Sequence, residues 1–233
     1  MATRIHMADS EPKTVLLAGA TGLVGQWALE SLLEAPDVGR VYAVTRRPLG
    51  REHSKLANRI VQFDQLESQL KGLSVHAALC CLGTTLRKAG SEEAFREVDV
   101  GHVVAFARAA RSAQAQRFVV VSSVGADVRS KSFYLRTKGE MEAALVPIGF
   151  SSLDVLQPSV LLGRRAEMRP LELLAIAAMP FLNLFLRGSR EIYRGIPART
   201  VAAAMVGVLR SSRRGPQRHT YSGIQALARS RRK

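Results

Sequence analysis

Short apolar segments alternate with longer stretches of helical length from Lys13 to about Leu162. Most of these segments are rich in β-branched residues and apolar throughout, which is typical of strands covered by helices on both faces of a sheet. Such alternation indicates a parallel sheet built from strand–helix–strand units. The predicted strands are residues 14–18, 40–45, 60–63, 77–82, 118–122 and 153–156.

The stretches between the predicted strands include three with the length and apolar spacing of helices: residues 23–34, 92–114 and 133–146. Ser91 precedes Glu92 and Glu93, which favours a helix start because the hydroxyl caps free N–H groups and the acids suit the positive end of the helix dipole. A last helix is predicted over residues 198–210. We therefore expect an α/β fold class, a doubly wound parallel sheet with a small C-terminal helical extension.

The alternation stops after Leu162, and residues 171–186 are the most apolar stretch of the chain. This stretch holds sixteen residues and includes Glu172, Pro180 and Asn183, whereas a membrane span needs about 20 apolar residues. A helix packed in the core or in a subunit interface is the favoured interpretation, with a membrane-surface segment and a true span as alternatives. We expect a protein that is not transmembrane, either a monomer or a homodimer.

Length and composition indicate one folded unit. A chain of 233 residues with 47% hydrophobic residues and a mean hydropathy of +0.03 is typical of one globular domain. We predict a flexible leader over residues 1–12, one domain over 13–222 and a basic tail over 223–233. The leader lacks the apolar run of a secretory signal, and Cys80 and Cys81 have no second cysteine pair to complete a zinc site. A reducing, cytoplasmic setting without a bound metal is expected.

The net charge of +15 favours polyanions in general: phosphate cofactors, acidic partners, nucleic acid or anionic lipid. Much of the excess lies late, in Arg210, Arg213, Arg214, Arg218 and residues 229–233. A solvated, frayed tail explains this run of like charge most simply. Since no nucleic-acid-binding module is recognisable, nucleic acid is not an expected partner.

The strongest local signal is the segment GATGLVG, residues 19–25, which follows the first predicted strand and opens the first predicted helix. Gly19, Gly22 and Gly25 permit a tight turn, a close approach of the main chain to a diphosphate, and close packing of the helix on the sheet. Free N–H groups at the helix start face the phosphate charge. A plain strand-to-helix turn is the alternative. The surrounding strand–helix–strand series favours a Rossmann-type site for a dinucleotide.

Two arginines, Arg46 and Arg47, stand at the end of the second predicted strand. A site specific for NAD has an acidic residue there, which binds the ribose hydroxyls. Guanidinium groups can instead hold a 2′-phosphate through charge-assisted hydrogen bonds. The pair favours NADP over NAD, and a solvated surface pair is the alternative.

A serine pair, Ser122 and Ser123, ends the fifth predicted strand, and Tyr134 and Lys138 follow in the next predicted helix. A tyrosine and a lysine four residues apart lie on one face of a helix, so the ammonium can lie near the phenol. A nearby cation stabilises the phenolate and lowers the pKa of tyrosine from its usual value of about 10. This combination is suited to general acid–base catalysis, with a serine hydroxyl holding the substrate oxygen.

These motifs together resemble the atypical short-chain dehydrogenases, and within them the oxidoreductases similar to the Tat-interacting protein. The resemblance covers nearly the whole predicted domain and rests on seven segments. They are GATGLVG, TRRP, CCLGTT (80–85), FREVD (95–99), VVSSVGAD (120–127), YLRTKGEME (134–142) and PSVLLGRR (158–165).

The resemblance implies NADPH as cofactor and names the residues that bind it. These are Thr21, Gly22, Leu23 and Val24 in the glycine loop, Arg46 and Arg47, Leu82, Gly83 and Thr84 under the adenosine, Tyr134 and Lys138 at the nicotinamide ribose, and Leu161 and Arg169 nearby. Asp64 resembles the acid that the family places beside the adenine. In one departure from the family, Asp99 stands where many relatives have an asparagine in the helix that supports the lysine.

The leading functional hypothesis is an NADPH-dependent reductase of a small carbonyl compound. Tyr134 is its proton donor, Lys138 the electrostatic partner of Tyr134, and Ser123 (or Ser122) the holder of the substrate oxygen. A redox-responsive protein that uses bound NADPH to shape a surface for a protein partner is the alternative from another class. A sugar-nucleotide epimerase is disfavoured, because only about 70 residues follow the last predicted sheet strand to enclose a nucleotide.

Overall fold

The computed structural model describes residues 11–163 and 188–230. Within them, seven strands form one parallel sheet in the order β3-β2-β1-β4-β5-β6-β9, which confirms the predicted doubly wound fold. Its strands are β1 (Lys13–Ala18), β2 (Val38–Thr45), β3 (Leu56–Ile60), β4 (Ala77–Cys80), β5 (Arg117–Val121), β6 (Ser152–Leu156) and β9 (Gly215–His219). A separate short pair is formed by β7 (Leu161–Leu162) and β8 (Ile196–Pro197).

The helices of the described residues are α1 (Gly25–Glu34), α2 (Leu66–Gln69), α3 (Leu86–Ala89), α4 (Glu92–Arg96), α5 (Val103–Ser112), α6 (Phe133–Leu145), α7 (Ala198–Val208) and α8 (Tyr221–Ser230). Ser91 caps α4 as predicted, since its hydroxyl accepts a hydrogen bond from Ala94 N at 3.1 Å. The stretch expected as one helix over residues 92–114 is interrupted by a π-helical turn, Glu97–His102, between α4 and α5. We call this segment the π turn.

Both faces of the sheet are covered, as the apolar strands require. Successive residues of β1 point to opposite faces, so that Val15 and Leu17 join one core while Leu16 and Ala18 join the other. Buried side chains of α1, α7 and α8 complete the first core, and those of α5 and α6 complete the second. Full burial of each leucine stabilises the fold by about 1.5–3 kcal/mol.

The third strand differs from its prediction. It spans Leu56–Ile60 instead of 60–63, and Phe63 belongs to a 3-10 turn, Phe63–Gln65. β3 lies at the sheet edge and none of its residues is fully buried, so it does not require apolar residues on both faces. The polar residue Asn58 is accommodated in β3, and its side chain donates a 3.0 Å hydrogen bond to Ala43 O of the neighbouring strand β2.

The C-terminal region also differs from its prediction. Residues 221–230 form α8 with Ile224 buried, so most of the segment expected as a basic tail from residue 223 belongs to the fold. Close helix packing explains this: a Cβ at Gly207 of α7 would lie 2.1 Å from Leu227 O. Strand β9 was not predicted, because its sequence GPQRH is polar and contains a proline. An edge strand tolerates a proline.

Two predicted segments, the apolar stretch 171–186 and most of the leader, lie outside the described residues. Among residues 11–163 and 188–230, we find no helix with both the length and the apolar character needed to cross a membrane.

Candidate functional site

The residues singled out from the sequence follow the carboxyl ends of the sheet strands, where ligands bind in open α/β sheets. The glycine loop follows β1, Arg46 and Arg47 follow β2, Asp64 follows β3, Gly83 and its neighbours follow β4, and Ser123 follows β5. Tyr134 and Lys138 lie in α6, and Leu161 lies in β7. Arg169 is outside the described residues.

The glycine loop leaves no space for side chains at two of its glycines. Gly19 has a φ of +79°, and a Cβ there would lie 2.5 Å from the carbonyl carbon and oxygen of Cys81, just after β4. A Cβ on Gly25 would lie 1.9 Å from Gly19 O. Helix α1 begins without a side-chain cap and without an acidic residue in its first turn, so its positive end suits a phosphate. This cradle fits the diphosphate of a dinucleotide.

Lys138 and Asp99 form a buried ion pair beneath the turn after β4. Lys138 Nζ lies 2.6 Å from Asp99 Oδ1, and their side chains are 6% and 1% exposed. The other oxygen of Asp99 accepts a hydrogen bond from Thr84 N at 2.8 Å. A Cβ on Gly83 would lie 3.5 Å from Asp99 Oδ1 and 3.9 Å from Lys138 Nζ. The lysine is therefore held against the turn that the resemblance assigns to the cofactor.

The two serines after β5 have different environments. Ser122 is buried, and its hydroxyl donates a 2.6 Å hydrogen bond to Oε1 of Glu142, which is 2% exposed. Glu142 also accepts hydrogen bonds from Gln157 Nε2 at 2.8 Å and from Arg218 Nε at 2.7 Å. Ser123 is half-buried, and among the described residues its hydroxyl makes only a long contact of 3.4 Å, with Val124 O. Of the two, Ser123 is the one available to a ligand.

Tyr134 is exposed at the start of α6, with its ring centroid 5.9 Å from that of buried Phe95 in α4. Close packing fixes the helix that carries it, because a Cβ on Gly139 would lie 2.4 Å from the backbone between Asp127 and Val128. Tyr134 and Lys138, four residues apart, share one helix face as predicted.

A cleft of about 610 Å³ lies beyond β2 and β3 and contains residues that the sequence did not reveal. It brings Arg46 and Asp64 together, as the resemblance implies, whereas Arg47 is exposed and is not among its lining residues. The newly found lining residues that are polar or aromatic are Gln62, Phe63, Glu97 and His102. The π turn presents Glu97 and His102 to the cleft while its Asp99 faces Lys138, and no sequence signal predicted that turn.

A family model described as NAD(P)H-binding matches residues 19–157, which span the glycine loop, the cleft and the Ser-Tyr-Lys set. The chain belongs to this family. Protein HTATIP2 of Rattus norvegicus is 37% identical to it over 167 residues, 70% of this chain and 69% of that protein. Protein FMP52, mitochondrial, of Lodderomyces elongisporus is 36% identical over 167 residues, 67% of this chain and 70% of that protein. The resemblance to Tat-interacting-protein oxidoreductases is thus confirmed.

Solved structures share the fold. MoeE5 in complex with UDP-glucose and NAD superposes with a TM-score of 0.66 at 18% identity, over 92% of this chain and 79% of that chain. Human epimerase family protein SDR39U1, isoform 2, with NADPH has a TM-score of 0.61 at 20% identity, over 89% of this chain and 74% of that chain. One neighbour holds NAD and the other NADPH, so the fold by itself is compatible with either cofactor.

Proposed function

We propose that this protein is an NADP-dependent oxidoreductase of the short-chain dehydrogenase type that reduces a small carbonyl compound. The observation that carries the proposal is the buried Lys138–Asp99 pair beneath Gly83. An unpaired buried ammonium is costly, and buried charge pairs of this kind cluster at functional sites. This ammonium lies beside the cofactor turn, on the helix face that also bears Tyr134.

Each of the three catalytic candidates has a role that its environment supports. Ser123, whose hydroxyl makes no short hydrogen bond within the described part of the chain, binds the substrate oxygen and orients the carbonyl. Tyr134 donates its phenolic proton to that oxygen as negative charge develops there. Lys138 stabilises the resulting phenolate and binds the ribose of the cofactor. When bound, the nicotinamide supplies the hydride that the carbonyl carbon receives.

The choice of NADP follows from Arg46 at the end of β2. Arg46 lines the cleft that would hold the adenosine, where its guanidinium can pair with a 2′-phosphate. The human structural neighbour that holds NADPH supports this choice by analogy, and the NAD-bound neighbour supports the alternative.

A fluorescence titration with NADPH and NADH, followed by a turnover screen, tests the proposal. We expect tighter binding of NADPH and its oxidation in the presence of at least one aldehyde, ketone or quinone. Binding without turnover of any compound, together with NADPH-dependent capture of a protein partner, would favour the sensor alternative. Turnover of a nucleotide-sugar alone would favour the epimerase alternative, to which the UDP-glucose complex of MoeE5 is the structural analogy.

For location, we propose the cytoplasm, and the name of the FMP52 relative makes the mitochondrion the alternative. Fractionation of cells that produce the native protein, with markers for both compartments, separates the two. Gel filtration of the purified protein distinguishes a monomer from a homodimer.

A further inference from the structure

We propose that His102 is a proton-linked ligand of the 2′-phosphate of NADP, so that the preference for NADP over NAD increases as the pH falls. The inference rests on the proposed function only in that NADP is the cofactor. It adds a specificity-determining residue that lies outside every motif of the sequence, on the π turn.

The position of His102 supports contact with the adenosine end of the cofactor. Its ring stacks on Phe63, with centroids 4.6 Å apart and planes inclined by 30°. Both residues line the 610 Å³ cleft that also contains Arg46 and Asp64. The cleft thus has an aromatic wall suited to a planar base and, beside it, the cation expected at a 2′-phosphate.

The charge balance of the cleft shows why a second cation matters. Arg46 is its one ionised cation among the described lining residues, whereas Asp64 and Glu97 are two anions. A dianionic phosphate entering beside this set meets two carboxylates and one guanidinium of the cleft lining while the imidazole of His102 is neutral. Protonation of His102 changes the balance by one positive charge and adds an N–H donor that can face the phosphate.

Burial and two charged neighbours set the pKa of His102. Partial burial lowers the pKa of His102 below its usual 6.5, Arg46 lowers it further, and Glu97 raises it. The Glu97 carboxylate lies 3.6 Å from His102 Nε2 and forms an ion pair with the ring when the imidazole is protonated. The groups that act on the ring are Glu97 from the π turn, Arg46 from the end of β2, and Phe63 from the 3-10 turn after β3, and Asp64 of that turn lines the same cleft.

Linkage fixes the direction of the effect. A phosphate dianion near the ring stabilises the imidazolium and raises the pKa of His102, so binding takes up a proton and strengthens as the pH falls through that range. The phosphate itself stays mainly dianionic above its own pKa of about 6. Between about pH 8.5 and 6.5 the histidine therefore dominates the pH dependence. NAD lacks the phosphate and serves as the internal reference.

The experiment is a fluorescence titration of the purified full chain with NADPH and with NADH across that pH interval. We expect the ratio of the two affinities to rise a few-fold from about pH 8.5 to 6.5, at most about fivefold for a shift of one pKa unit, because the pKa of His102 in the free protein lies below 6.5. Calorimetry with NADPH in buffers of different ionisation enthalpy should register proton uptake, and calorimetry with NADH should register less.

Two variants and a control assign the proton. His102→Gln should give a flat ratio across the pH interval. Glu97→Gln, at an exposed position that does not threaten folding, should move the rise to lower pH because the histidine loses the acid that raises its pKa. His53→Gln is the matched control, since His53 is exposed in the loop before β3, at the opposite end of the sheet strands. It should behave as the wild type does.

A wild-type ratio that does not change with pH, or a His102→Gln variant that retains the rise, overturns the inference and leaves the proposed cofactor choice intact. The inference is also overturned if the affinity ratio rises equally in His102→Gln and His53→Gln while the Glu97→Gln curve stays at the wild-type pH. A failure to prefer NADPH at any pH is a distinct result, which overturns the cofactor choice and the inference together.

Discussion

The ammonium of Lys138 lies 2.6 Å from the carboxylate of Asp99, and both side chains are buried. Asp99 also accepts a hydrogen bond from Thr84 N, so one carboxylate joins the π turn, α6 and the turn after β4. Removal of one member of a buried pair leaves an unpaired charge in the interior, which costs far more than removal of both.

We predict from this pair that Asp99→Ala destabilises the protein by about 3–5 kcal/mol. The double variant Asp99→Ala, Lys138→Met should recover a substantial part of that loss because it leaves no buried charge alone. Urea unfolding of both variants measures the free energies. A double variant less stable than Asp99→Ala would show that the two side chains do not act as a pair.

Tyr134→Phe should abolish turnover of any substrate found while NADPH binding stays nearly unchanged. The phenol is needed only as the carbonyl oxygen gains charge, so the loss falls on kcat, by about 10²- to 10⁴-fold. The ring contact with Phe95 is retained, which protects the fold. Lys138→Ala should lower both kcat and cofactor affinity. Steady-state kinetics with parallel NADPH titrations separate these effects, and full activity in the phenylalanine variant would make Tyr134 a packing residue.

Arg46→Ala should reduce the preference for NADPH over NADH by roughly tenfold or more, because it removes a charge-assisted partner of the 2′-phosphate. Arg47→Ala is the matched control, since Arg47 is exposed beside the cleft and does not line it. Affinities of both cofactors for the two variants provide the measurement. An equal loss of NADPH preference in both single variants would assign the 2′-phosphate to the two arginines together. If the double variant Arg46→Ala, Arg47→Ala kept the full preference, neither arginine would recognise the phosphate.

Substitution of Ser122 should affect stability, whereas substitution of Ser123 should affect turnover. Ser122→Ala leaves a buried oxygen of Glu142 with one hydrogen bond fewer, so we expect a loss of about 1–3 kcal/mol in stability and only a small change in kcat. Ser123→Ala should lower kcat with little change in unfolding free energy. Thermal unfolding and kinetics on both variants test the assignment, and the reverse pattern would make Ser122 the substrate ligand.

Asp37 should contribute acid-sensitive stability at the far end of the sheet. Burial raises its pKa, but the hydrogen bonds and charges of Arg210 and Lys13 outweigh it and lower the pKa to about 2. A depressed native pKa stabilises the fold above the unfolded value, and this contribution is lost as the pH falls from about 4 toward 2. Because Asp37 is partly exposed, we expect Asp37→Asn to lower the free energy of unfolding by only about 1–2 kcal/mol at neutral pH.

The measurement is urea unfolding of Asp37→Asn and the wild type between neutral pH and about pH 2. The difference between the two curves should shrink to a small fraction of its neutral value at the acid end, because Asp37 is half protonated at its native pKa of about 2. Glu30→Gln is a suitable control, because the carboxylate of Glu30 lies 3.9 Å from Arg51 on the surface and such pairs contribute little. A constant difference at every pH would mean that Asp37 acts through packing alone.

Local pattern predicted the central strands and their helices to within a few residues, because β1, β4, β5 and β6 are buried on both faces and must be apolar. It failed at both sheet edges, β3 and β9, where one side of the strand has no neighbour and polar residues are accepted. Likewise, most of α8 lies in the segment expected as a basic tail, and its close packing on α7 at Gly207, with Ile224 buried, makes it part of the core.

By itself, the sequence determined the doubly wound sheet, the glycine loop after β1 and the shared helix face of Tyr134 and Lys138, since each depends on the order and spacing of residues near one another in the chain. Tertiary structure alone decided that Ser122 is bound to Glu142, that Asp99 pairs with Lys138, and that His102 meets Phe63 and Arg46 in one cleft. Those contacts join residues far apart in sequence. They depend on a π turn and on helix packing, which a pattern of apolar and polar positions does not encode.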